Sequence, residues 1–240
     1  MTSTAPTRTS PTGTVRDTGP TGAATITAFT CFALVAIVHL LGQLAGLDSV
    51  TNPTQWALMP LLALTLWSAT RDRPRSRLVQ LTLLALGLSW LGDTLPDLAP
   101  QDSGFVVMIG FFLLAQLAYI AAFWPHRRRS VLQQPVRAAP YAGVLALLLV
   151  ACLPGTGDLL VPAVVYGVCL TTMAALSTGL NRPAAVGGAV FLVSDSLIAL
   201  DAFAPGYDLA GHGFWVMATY VVGQGLIAAG VLRTGEPGPG

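Results

Sequence analysis

The amino-acid sequence predicts an all-α, polytopic membrane helical bundle, on three observations. Only 10% of residues are charged and 53% are hydrophobic, whereas soluble domains carry about 25% charged residues. The apolar residues come in long runs separated by short polar breaks, with a mean hydropathy of +0.67. The basic residues are all arginines, and they gather in every second break. A net charge of +1 supplies no field that would attract nucleic acid, so nucleic-acid binding is excluded, and no obligatory protein partner is indicated. Arginine without lysine suggests a high-GC, bacterial source.

Residues 1–25 are rich in Thr, Pro and Gly and too poor in large apolar side chains to build a core, so a disordered cytoplasmic tail is expected. The first apolar run is long enough to span and lacks a small-x-small cleavage site, which makes it a retained anchor rather than a signal peptide. At about 20 apolar residues per span, the runs predict helices over 27–47, 54–70, 78–95, 104–124, 136–153, 159–179, 184–203 and 213–232. These eight transmembrane helices form one membrane domain over 26–233, with a disordered tail at 234–240.

Arginine placement tests that count, because cytoplasmic loops are enriched in positive charge. Arg8 and Arg16 precede the first helix; Arg71, Arg73, Arg75 and Arg77 lie between the second and third; Arg127, Arg128, Arg129 and Arg137 follow the fourth. Arg182 lies between the sixth and seventh, and Arg233 follows the eighth. All fall on one side of an eight-helix arrangement. The alternate loops carry Asp48, Asp97, Asp102, Asp158 and Asp208. Both termini are therefore expected in the cytoplasm, and the location in a bacterial cytoplasmic membrane as a multi-pass protein.

An internal echo suggests a tandem 4+4 repeat. The third helix reads Leu91-Gly92-Asp93-Thr94-Leu95 and the seventh Val193-Ser194-Asp195-Ser196-Leu197. The helices that follow open on Gly104 to Met108 and Gly213 to Met217, and carry Gln116 and Gln224. Two four-helix halves would run parallel.

Asp93 and Asp195 are the candidate catalytic groups. A carboxylate inside a bilayer costs several kcal/mol unless it is neutral, paired or facing water. At about 1.5 Å per residue, Asp93 is expected roughly 22 Å, and Asp195 roughly 16 Å, from the cytoplasmic helix ends. If the third and seventh helices pack together, both side chains enter one pocket. Two carboxyls in a poorly solvated pocket resist ionising together, which supplies an acid and a base. The alternative is that each Asp merely bonds a neighbouring helix or caps a break. Gln116 with Tyr119, and Tyr220 with Gln224, share helix faces at spacings of three and four. They are the candidate substrate-binding residues, with interhelical bonding as the alternative.

His39 has no second ligand at metal spacing and reads as a packed histidine. Cys31, Cys152 and Cys169 lie in separate apolar segments, with neither disulfide nor zinc spacing. No metal and no cofactor is expected. No G-x-S-x-G or H-E-x-x-H motif is present.

The stretches from Leu88 to Asp93, from Gly187 to Ser196, and from Tyr220 to Ile227 resemble the YhhN family, to which lysoplasmalogenases belong. The likeness runs over most of residues 50–233. It implies an integral membrane hydrolase of the vinyl ether bond of lysoplasmalogens, acting on a lipid or lysolipid and giving a fatty aldehyde and a glycerophospho-base. Asp93 and Asp195 match the family's two carboxylates, and acid–base catalysis by them is what the resemblance implies. This chain has Met59-Pro60 where the family commonly has Lys-Pro, and Gln116 where it commonly has His. The alternative function is a non-enzymatic carrier or lipid-binding protein using the same aspartates.

Overall fold

A computed structural model describes residues 20–72, 74–100 and 103–234. Among these residues there are eight α-helices and no strand: α1 (Pro20–Ala45), α2 (Asp48–Ala69), α3 (Arg77–Thr94), α4 (Gly104–Phe123), α5 (Pro135–Cys152), α6 (Leu160–Ser177), α7 (Arg182–Phe203) and α8 (His212–Thr234). Short 3₁₀ turns join several of them. The greater part of both expected tails, with Arg8, Arg16, Arg73 and Asp102, lies outside the described residues. Helix α1 begins at Pro20, so residues 20–25 are helical where a tail was expected; proline's fixed φ suits the first helical position.

Seven of these helices are long and apolar enough to cross a membrane. The exception is α2, whose first turns carry Asp48, Thr51, Asn52, Pro53, Thr54 and Gln55. It starts six residues before the expected 54, because its polar start is folded against α1. Gly46 turns the chain between them with φ +65, and the Leu47 N–H bonds back to Gly42 O at 3.0 Å. Such a left-handed glycine closes a helix at little steric cost.

The outside of the bundle is oily, unlike that of a soluble protein, and a set of polar side chains is buried within its apolar core. Leu34, Ile37, Leu41 and Leu44 stand exposed on α1, while His39, Asp93, Gln116, Asp195 and Gln224 are buried. That arrangement suits hydrocarbon as solvent. The chain is a multi-pass helical membrane protein.

Helices α7 and α8 meet almost backbone to backbone. A Cβ added at Gly187 would lie 2.7 Å from Ile227 N, and one at Gly223 would lie 2.9 Å from Phe191 N. Small residues permit this approach where no hydrophobic effect drives helices together. Asn181 caps α7 through Ala184 N at 3.2 Å and also donates to Gly230 O of α8 at 2.8 Å. Helix α8 sits centrally, touching α1, α2, α3 and α7. Helix α5 is peripheral: only Cys152 of its residues is buried.

Candidate functional site

The six side chains picked out by sequence converge on one buried polar layer, Asp93 and Asp195 being only 6% and 3% exposed. Tyr220 OH donates to Asp93 Oδ2 at 2.8 Å, and the Gln55 amide also faces that carboxyl. Asp195 Oδ2 accepts from Tyr166 OH at 2.5 Å and from Gln116 Nε2 at 3.4 Å. Tyr119 OH donates to Gln224 Oε1 at 2.5 Å, and Gln224 Nε2 donates to Ser89 Oγ at 3.2 Å. Ser89 stands one helical turn before Asp93. Bonds of this kind are what let carboxyl and amide groups persist away from water.

A shared pocket for the two aspartates was conditional on α3 packing against α7. Helix α3 packs mainly on α2, α4 and α8, and α7 on α5, α6 and α8. Helices α4 and α8 therefore stand between them, and the two aspartates share no hydrogen-bond partner. The bonding is crossed: α3 presents Asp93 to Tyr220 of α8, and α7 presents Asp195 to Gln116 of α4. Tyr119 and Gln224 link the two middle helices directly.

An aromatic cluster fixes the geometry around Asp93. The Tyr220 ring meets Phe112 edge-on at 5.8 Å and Phe191 at 5.7 Å between centroids. Gly92 makes room for it, since a Cβ there would lie 2.9 Å from the Phe112 ring. The glycine that precedes the aspartate is thus a packing requirement.

Asp195 opens onto a cavity of about 70 Å³ bounded by α4, α5, α6 and α7. Its walls are apolar, with Phe105 and Met108 from α4, Leu145 and Leu149 from α5, Val164 and Leu170 from α6, and Ile198 and Phe203 from α7. Tyr166 and Asp195 are its strongest polar features. Both hydrogen bonds to Asp195 fall on Oδ2, so Oδ1 carries neither. Asp93 does not line this cavity.

Sequence reading missed Tyr166, Ser89 and Gln55. Ser89 was within reach, being four residues before Asp93 and so on its face. Tyr166 was not, because nothing polar flanks it on its own helix; only the fold brings it to Asp195. Gln116 reaches Asp195 as an amide donor, and its Oε1 is buried without a hydrogen-bond partner. Met59 is fully buried in the core. His39 is a packed histidine, its Nδ1 3.1 Å from Thr51 O and 3.0 Å from Thr54 Oγ1. Its ring is bonded to neither aspartate. Among the described residues no group of three or more His, Cys, Asp or Glu side chains could hold a metal ion.

Comparison with known proteins points the same way. Lysoplasmalogenases of Mycobacterium bovis and Mycobacterium tuberculosis are each 30% identical to this chain over 191 residues, covering 73% of it and 69% of the relative. No solved structure matches the chain. The profile described as the YhhN family matches residues 51–231, a stretch that holds both aspartates and every polar partner named above, and the chain belongs to that family.

Proposed function

We propose that this protein is a membrane hydrolase of the vinyl ether bond of lysoplasmalogens or a related ether lysolipid, releasing a fatty aldehyde and a glycerophospho-base, with Asp93 and Asp195 as its acid–base groups. The observation that carries the reading is Asp195: a carboxyl held by two neutral donors at the edge of an apolar cavity. A ligand there must combine a hydrocarbon chain with a polar reacting bond.

The reaction needs a proton on the outer vinyl carbon, which turns the ether into an oxocarbenium ion. Water then adds to the carbon bearing oxygen and gives up a proton to a carboxylate. The hemiacetal so formed breaks its bond to the glycerol oxygen, and the hydroxyl proton passes to that oxygen. Paired carboxyls run the comparable chemistry in glycoside hydrolysis. Gln116 Oε1, an acceptor with no protein partner, supplies a place to orient the water beside Asp195. Gln116, Tyr119, Tyr220 and Gln224 bind the polar part of the substrate, and Gln116 and Tyr220 also hold the carboxyls.

The fold in the membrane belongs to the same proposal. Helix α2 crosses as an eighth span, with its polar start covered by α1, and both termini lie on the cytoplasmic side of a bacterial cytoplasmic membrane with the arginines. The crossed bonding between α3–α4 and α7–α8 supports descent from a tandem four-helix repeat. The test is aldehyde release from lysoplasmalogen by purified protein, against Asp93→Asn and Asp195→Asn. Loss of about 10²–10⁴-fold in both variants, with folding intact, is expected for general acid–base groups. Proton-coupled uptake without cleavage would instead establish the carrier function.

A further inference from the structure

We infer that the seam between α4 and α5 is a side entrance for a single unbranched hydrocarbon chain of a membrane lipid, entering from the bilayer half remote from the arginines and ending at Asp195. What happens at Asp195 rests on the proposed hydrolase function; the binding of the chain does not.

The position of the cavity along the bundle sets the side. Helices α3, α5 and α7 begin, and α2, α4 and α8 end, near arginines. The lining residues fall in the first half of α4 (105–112), the first two-thirds of α6 (160–170) and the last half of α5 (145–152) and α7 (195–203). All four stretches lie at the end away from the arginines. From Phe203, Asp195 is eight residues down α7, about 12 Å below that end. A hydrocarbon chain lying along this stretch fills the length between that end of α7 and the carboxyl.

The packing of α5 sets the route. This helix is tied to α7 by Cys152 Sγ, which donates to Ala199 O at 3.5 Å, and, in the turn that follows it, by the close fit of Gly155 on the Phe203 backbone. It is tied to α6 where Gly167 faces Leu145, a Cβ at Gly167 falling 3.2 Å from Leu145 Cδ1. Its principal helix neighbours are α6 and α7, not α4. The wall between cavity and lipid is therefore one peripheral helix, held by α6 and α7 and not by α4, on a face where the surrounding medium is itself hydrocarbon. The narrow cavity and the Gly167–Leu145 approach leave room for one chain and not for two.

The test uses the full-length protein in lipid nanodiscs and a lysophospholipid with a saturated alkyl ether chain carrying a photoactivatable diazirine. That probe binds without being cleaved. Irradiation followed by peptide mass spectrometry should place saturable labelling on Met108, Ile109, Leu145, Leu148 or Leu149, displaced by excess unlabelled probe. Ala163→Trp and Leu149→Trp, which fill the cavity, should each weaken the saturable labelling by about tenfold for every two methylenes excluded. Labelling confined to the outer faces of α1 or α3, to residues near the arginines, or not displaceable by excess probe would overturn the inference, whether or not the Trp variants fold. Saturable labelling at these positions with no aldehyde from any vinyl ether lysolipid would support the entrance and sink the hydrolase. Aldehyde release with labelling elsewhere would do the reverse.

Discussion

Tyr166→Phe isolates one atom. The hydroxyl donates to Asp195 Oδ2 at 2.5 Å inside the bundle, and phenylalanine keeps the ring that walls the cavity. Hydrogen bonds to charged groups contribute about 1.5–3 kcal/mol. If that bond holds Asp195 in its working position through the transition state, its loss lowers kcat by about ten- to a hundredfold. KM should move little, because the chain-binding wall is unchanged. The assay couples released aldehyde to an aldehyde dehydrogenase and follows NADH, with thermal unfolding measured on the same preparation. A structural role alone predicts a lower Tm with kcat preserved. A kcat within twofold of the parent, at any Tm, would falsify the view that Tyr166 positions the carboxyl.

Other perturbations follow from the same geometry. Gly92→Val drives a side chain into the Phe112 ring and should cost about 1–3 kcal/mol, read as a fall in Tm together with disturbed activity through Tyr220; an unchanged Tm would refute the packing role. Tyr119→Phe leaves Gln224 Oε1 buried without its donor, so a stability loss of about 1–3 kcal/mol is expected, with a smaller effect on kcat than Tyr166→Phe. Asn181→Ala removes the α7 cap and a tie to α8, for about 0.5–2 kcal/mol and unaltered KM. His39→Leu should leave chelator-treated and untreated activity equal, since its partners are Thr51, Thr54 and Gln43; activity restored by added metal would contradict this.

Most helix limits were legible because each apolar run is bounded by charge or by Gly and Pro. Helix α4 was expected over 104–124 and spans Gly104–Phe123; α7 was expected over 184–203 and spans Arg182–Phe203. The start of α2 was not legible, since its Thr, Asn and Gln residues read as loop until Thr51 and Thr54 meet His39 of α1 and Gln55 faces Asp93 of α3. Asp93, Asp195, Gln116, Tyr119, Tyr220 and Gln224 stand out in the sequence because a polar side chain in an apolar helix is conspicuous, and all six are buried. Which of them pairs with which was not legible, because pairing depends on which helices are adjacent, and α4 and α8 stand between α3 and α7. The cavity follows from α5 packing on α6 and α7 and not on α4, and no run of residues in the sequence announces a gap.

The crossed bonding has a consequence for how the chain can be divided. A cut within the 3₁₀ turns at Trp124–Arg129 would give two four-helix pieces, each carrying one aspartate. Asp93 would then lose its tyrosine and Asp195 its amide, because each donor belongs to the other piece. Neither fragment holds a complete carboxyl environment, and co-expression of the two should restore what either alone lacks. Assembly of the two pieces and completion of the site are one event, so newly made protein carries a finished pair of carboxyls only after its last helix has docked.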